Sequence, residues 1–576
     1  MPSINRSIVT LVCAAAITTA CDSSNPQPTE TPTRTQQSAN AVTVLHNARI
    51  YTFDRGDTVL DTGSLAFGED GVIEGIGDNE AMLRAYPDAR IVEADGRTVL
   101  PGLIDSHVHL YSLAQSFTRA DLVGSTSKED VLRRLVEFAE TLPDGAWLLG
   151  RGWDQNDWPE PVFPSRRDLD AVFPDRPVWL RRIDGHAAWA NSRAIAAADR
   201  DLAGDWQVEG GFIHRDEQGQ SSGIFIDNAM RFIEQSVPPD RPELIRSALD
   251  MATRQLVSLG LTAVHEAGAN RSVIDLYREK IEAGKLSVRV YAMADGINET
   301  TAWLCEDGIL EDPSGLLVVR SVKLFADGAL GSRGAALLED YSDEPGNRGL
   351  LFLQAEELQA QIRQAVSCGL QVGVHAIGDR ANRKVLDAYA AVLPDFPDNP
   401  GRHRIEHAQV LSPADIPRFS ELGIIAAVQP THATSDMYWA EQRLGPDRLA
   451  GAYAWKSLAE SGALLAFGSD FPVEQVDPLL GIHAAVTRQD LEHWPAAGWL
   501  PQERLERTAV VRAFTLDAAR AAFMEDQTGS LEVGKKADFI VLDRDLMRVP
   551  ADQITAVRVE QTWVDGKRVF LREPTP

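Results

Sequence analysis

His107 and His109 stand one residue apart at the end of the apolar run GLIDSHVH. In an extended strand, residues two apart project to the same side, so both imidazoles can face one point. Two imidazoles held that way make half a site for a borderline metal such as zinc. The spacing alone is weak evidence, because a pair of this kind is commonly incidental. It gains weight from later apolar runs that also end in residues able to bind metal or move a proton, namely QVGVH at His375, HRIEH at His407 and LLAFGSD at Asp470.

Positioning those residues requires a scaffold that brings distant strand ends together. Eight short apolar segments read as strands, ending at His107, Glu266, Met293, Phe325, His375, His407, Gln429 and Asp470, and helix-like stretches separate most of them. Alternation of that kind implies βα units on a parallel sheet, and eight strands close a (β/α)8 TIM barrel whose site lies at the C-terminal strand ends. The barrel is expected over 101–524, with an insertion at 111–258 far longer than one crossover helix needs. The insertion is rich in Trp, Gly and Pro and is placed over the barrel mouth, where Trp153, Trp158 and Trp189 either line a pocket or pack insertion against barrel. Segments 41–100 and 525–576 share a texture of β-type runs and Gly/Asp turns. Neither buries enough surface alone, so they are expected to combine into one composite β-sandwich domain.

A formal charge of −28 and a pI near 4.8 argue against a nucleic-acid partner, whose phosphates would be repelled. Residues 1–21 carry Arg6, an apolar run from Ile8 to Ile17 and small residues up to Cys21, a secretory signal too short to span a bilayer. The pattern resembles a bacterial lipoprotein signal with Cys21 as the lipidated residue, although Thr18 stands where such signals carry Leu. The alternative is cleavage near Ala20 and release of a free periplasmic protein. Segment 22–40 is rich in Ser, Pro, Thr and Gln and reads as a disordered tether. An exported, periplasmic protein is therefore expected, touching a membrane only through the lipid on Cys21. Cys305 and Cys368 make no disulfide framework, though a single bridge between them stays open.

The motifs VLPGLIDSHVHL, VHAIGDRA, RIEHAQV, FGSDFPVE and GSLEVGKKADFIVLD resemble the metal-dependent amidohydrolase superfamily. QPTHATSD and VKLFADGALGSRGA are similar to amidohydrolase family 3, the branch that includes N-substituted formamide deformylase. The resemblance runs from about Val42 to Phe570 and keeps the family's motif order. It implies two divalent metals, zinc first and manganese or iron as alternatives, with His107 and His109 on one and His375 and His407 on the other. Asp470 would bind metal and handle protons. Lys323 would carry a carbamate derived from CO2 and bridge the metals; the other reading is an ammonium paired with Asp327 or another acid in a one-metal site. His186 and His432 match motifs of the substrate cavity, and Trp153 and Asp327 are further candidate substrate contacts. His265 either reaches the mouth or is buried; His46, His214, His403, His483 and His493 read as structural. The implied reaction is hydrolysis of a C–N bond in a small-molecule amide, such as an N-formyl or N-acyl amine, by a metal-activated hydroxide. Deamination, ester or lactone hydrolysis, and a non-catalytic tethered binding protein are the alternatives, and the sequence says nothing of oligomeric state.

Overall fold

The computed structural model describes residues 42–143, 145–239 and 242–573, so the expected signal, tether and Cys21 lie outside the described residues. Eight parallel strands form the centre: β1 Leu103–Val108, β2 Leu261–Ala269, β3 Arg289–Asp295, β4 Leu317–Phe325, β5 Gln371–Ala376, β6 Arg404–His407, β7 Ile425–Val428 and β8 Leu465–Phe467. They hydrogen-bond in sequence order from β1 to β8. Their continuous Val, Ile, Leu and Ala runs are what strands buried on both faces require. Register brings the polar ends to one level, with Phe325 opposite His375 and His375 opposite Glu406.

The seam between β8 and β1 is closed beyond the strand ends. The Asp470 amide donates to His107 O at 2.8 Å, and the His109 amide to Phe471 O at 2.8 Å. Asp105 on β1 accepts from the Ser469 amide at 2.9 Å and hydroxyl at 2.6 Å. Gly468 makes this approach possible, because a Cβ there would lie 2.5 Å from the His107 amide nitrogen. The expected eighth strand therefore stops at Phe467, and Gly468–Asp470 turn out of the ladder to serve the seam.

Outer helices cover the barrel with apolar stripes. Helix Pro242–Ser258 buries Ile245, Leu249, Ala252 and Leu256, and helix Ala355–Ser367 buries Leu358, Ile362 and Val366. The first of these belongs to the barrel core with Leu113, although it falls inside the segment expected as insertion. The insertion proper carries a six-stranded sheet between Ala120 and Asp227 with its own buried cores. Strands from the two flanks join one eight-stranded sheet, where Phe539 and Val541 pair antiparallel with Pro101 and Val99. Leu45, Ile50, Phe67, Phe539 and Trp563 fill its core. Cys305 and Cys368 are joined by a disulfide with Cα atoms 5.1 Å apart. Among the described residues no helix is long and apolar enough to cross a membrane.

His403, just before β6, accepts the Val372 amide at Nδ1 over 3.1 Å and stacks on Tyr389. Burial pushes its pKa down to about 4. The unfolded chain, with an ordinary value near 6.5, therefore binds more protons between those limits, and stability is complete above the window and lost as pH falls through it. Urea unfolding at successive pH values should show His403→Gln removing up to about 1.4 kcal/mol per pH unit from the acid slope between roughly pH 6.5 and 4. An unchanged slope would mean that His403 titrates normally in the fold.

Candidate active site

His107 ends β1 fully buried, with Nδ1 2.5 Å from Glu406 Oε2 on β6. A carboxylate at that distance fixes the proton on Nδ1 and turns the Nε2 lone pair inward. Nε2 lies 3.7 Å from Asp470 Oδ1 and 3.3 Å from Lys323 Nζ on β4. His109 Nε2 is 3.3 Å from the same Asp470 oxygen. His375 and His407, at the ends of β5 and β6, face each other with ring centroids 4.5 Å apart, and His407 lies 4.8 Å from His107. His407 Nδ1 meets Gln429 Oε1 at 2.7 Å, which orients that ring as Glu406 orients His107. His407, Ala408 and Asp470 all have positive φ, strain of the kind found where surroundings force a side chain into a site.

Burial holds His107, His375 and His407 well below the usual histidine range, so their rings are neutral lone-pair donors. Burial also lowers the Lys323 ammonium. For Asp470, burial pushes upward, but the hydrogen bond from His109, with the electrostatic pull of the neighbouring rings, outweighs it and brings the carboxyl below its ordinary value. The donor set fits a divalent cation. The ligating atoms of His107, His407 and Asp470 lie within 4.8 Å of one another. His375 Nε2 is buried with no hydrogen-bond partner, 3.6 Å from Asp327 Oδ1.

These residues floor a cavity of about 870 Å³ lined by His109, Lys323, His375, His407 and Asp470, and by His186 and His432 from the insertion and the segment after β7. His432 Nε2 lies 3.8 Å from Asp470 Oδ2. Five candidates fall elsewhere. Trp153 is fully buried inside the insertion, donating its indole N–H to Leu180 O, so its ring packs the insertion and does not face the cavity. Trp158 and Trp189 share that core. Asp327 is fully buried and takes the amides of Ala336, Ile377 and Gly378 at 2.8–2.9 Å; it ties the loop after β4 to the end of β5 and neither lines the cavity nor pairs with Lys323. His265 is buried beside Arg404, with Nδ1 3.0 Å from Nη1, and stays away from the mouth.

Glu406, Gln429 and Asp227 support the site, and sequence reading gave them no role in it. Asp227 ends an insertion strand, with Oδ1 2.6 Å from His186 Nδ1. The available signal for Glu406 was a charge inside a buried apolar run, which demands a partner.

A family model described as the amidohydrolase family matches residues 90–570. YtcJ of Bacillus subtilis (strain 168) is 35% identical over 539 residues, covering 92% of this chain and 99% of that one. N-substituted formamide deformylase of Arthrobacter pascens is 26% identical over 554 residues, covering 91% and 97%. The crystal structure of an uncharacterized metal-dependent hydrolase from Pyrococcus horikoshii OT3 superposes with a TM-score of 0.72 at 29% identity, covering 89% of this chain and 99% of that one.

Proposed function

Because the chain belongs to the amidohydrolase family, and is therefore a metal-dependent hydrolase acting on carbon–nitrogen bonds, we propose that it cleaves the amide of an N-formyl or N-acyl amine at a two-metal site. The reading rests on the convergence of His109, Lys323, His375, His407 and Asp470 at the floor of one cavity, with His107 buried against Lys323 and Asp470. His107 and His109 would hold one metal, His375 and His407 the other, and Asp470 would complete the first. When bound, zinc, or manganese or iron in its place, would polarise the substrate carbonyl and acidify water to near neutrality. Asp470 takes the proton of the attacking water and passes it to the departing amine. His186 and His432 contact the substrate from the cavity wall.

Burial favours the neutral amine of Lys323, which can add CO2 with loss of a proton to give a carboxylate on the side chain whose Nζ lies 3.3 Å from His107 Nε2, where it would supply a metal ligand. Lys323→Ala should lower metal affinity by at least about 10–100-fold, the range for losing a group that supports a metal site. Wild-type apoenzyme reconstituted with zinc in CO2-free buffer should gain activity on adding bicarbonate, and the variant should not. Equal responses to bicarbonate would remove the carbamate from the site.

The bridge between Cys305 and Cys368 supports an oxidising compartment, in keeping with export and a lipid anchor at Cys21. The substrate reading is tested with a panel of N-formyl and N-acyl amines and matching esters, scoring released amine from zinc-loaded enzyme. Turnover of the esters alone would replace it with an esterase.

A further inference from the structure

The insertion contributes one side chain whose chemistry is set by a partner from the same insertion. His186 borders the cavity beside His375, ring centroids 5.2 Å apart. Its Nδ1 lies 2.6 Å from Asp227 Oδ1, and the Asp227 amide returns a hydrogen bond to His186 O at 3.0 Å. The Asp227 side chain is 2% exposed and its backbone is held at φ 49°, so the pair is built in against a conformational cost. The barrel makes room for it with glycines. A Cβ at Gly328 would come within 2.6 Å of Asp227 Oδ2, and one at Gly334 within 2.9 Å. The ADGALGSRG segment after β4 is thus a floor on which the Asp227 carboxylate rests, and it ties His186 to the barrel.

A carboxylate accepts and cannot donate, so the neutral imidazole carries its proton on Nδ1 and keeps a bare lone pair on Nε2. We propose that His186 Nε2 accepts the N–H of the scissile amide, which makes this enzyme selective for secondary amides over N-alkylated amides and esters. The inference rests on the amidohydrolase reading of the cavity and names its substrate class. An N-methyl group would remove the donor and crowd the ring, and an ester oxygen would set lone pair against lone pair. A site built around a hydrogen bond rejects analogues that lack it, because the buried acceptor is left unpaired. Asp227 acts through His186 and is a positioning residue.

The test compares kcat/KM for formanilide, N-methylformanilide and phenyl formate at about pH 9, roughly 2.5 pH units above the ordinary imidazole value, a margin chosen because, against the opposing effect of burial, the hydrogen bond and charge of Asp227 hold His186 above that value. In His186→Phe the preference for formanilide over N-methylformanilide should shrink about tenfold or more, whatever loss of kcat/KM all three substrates share. Asp227→Asn, which can donate to Nδ1 and so invert the tautomer, should move the ratio in the same direction and serves if the first variant does not fold. Nitrogen-15 histidine spectra give a readout independent of turnover. The signal missing from His186→Phe should show a protonated Nδ1 and a bare Nε2 in the wild type. An unchanged substrate ratio in a folded variant, or a protonated Nε2, overturns the proposal while leaving the amidohydrolase reading intact. Wild-type cleavage of phenyl formate alone overturns both.

Discussion

Asp470→Asn should lower kcat by ~10²–10⁴-fold, the usual cost of removing a general acid–base group, while much of the metal stays bound. The substitution isolates the proton-transfer role because it preserves the rest of the residue's duties. Asp470 sits at φ 63°, in the left-handed region that asparagine tolerates about as well as aspartate and that alanine does not. The backbone hydrogen bond to His107 O, which closes the barrel seam, does not involve the side chain. One amide oxygen remains available where Oδ1 lies 3.3 Å from His109 Nε2. What disappears is the charged carboxylate that the imidazoles favour and that can take a proton. Metal content by elemental analysis beside steady-state kinetics separates the two functions. Full turnover in the metal-loaded variant would end the assignment, and loss of metal in proportion to activity would make Asp470 a ligand without a separate proton-handling role.

Several strand ends were readable because a polar residue punctuates them. A run such as QVGVH is apolar until one residue that has no reason to follow it, and eight strand-like runs in sequence leave few architectures. Roles carried by pairing were not readable. Asp227 lies 41 residues from His186, and only the antiparallel pairing of Ala187 with Ile226 brings them together. The tryptophans failed for a different reason. Trp153 sits on a strand whose two faces meet different neighbours, and in Gly- and Pro-rich sequence nothing tells which face points to the cavity and which to the insertion's own core. Asp327 has the same ambiguity, since an acid beside a metal-site strand can equally be a ligand, a counter-ion or, as here, a latch for three backbone amides.

Glu406 carries the second large prediction because it serves charge balance and metal geometry together. It is fully buried, with Oε2 2.5 Å from His107 Nδ1 and 2.9 Å from Arg404 Nη2, and Oε1 2.8 Å from Arg404 Nε. Arg404 is buried just as completely and also donates to Ser106 O at 2.6 Å, so the pair braces β6 against β1 from within the barrel. Gly373 on β5 leaves space for it, since a Cβ there would stand 2.6 Å from Glu406 Oε1. Glu406→Leu should cost about 3–5 kcal/mol, mostly the penalty of stranding a buried guanidinium. It should also weaken metal binding by about 10–100-fold, because His107 loses the partner that orients its ring. Adding Arg404→Met removes the stranded charge, and an apolar pair of similar volume can be as stable as the ion pair it replaces. Urea unfolding of the double variant should therefore recover most of the lost stability, while zinc titration shows the affinity still depressed, a divergence that only a residue with two separable roles produces. Recovery of both together would mean that Glu406 matters to the metal only by keeping the barrel folded. Failure to recover either would place its main contribution in packing between β5 and β6, with the ion pair secondary.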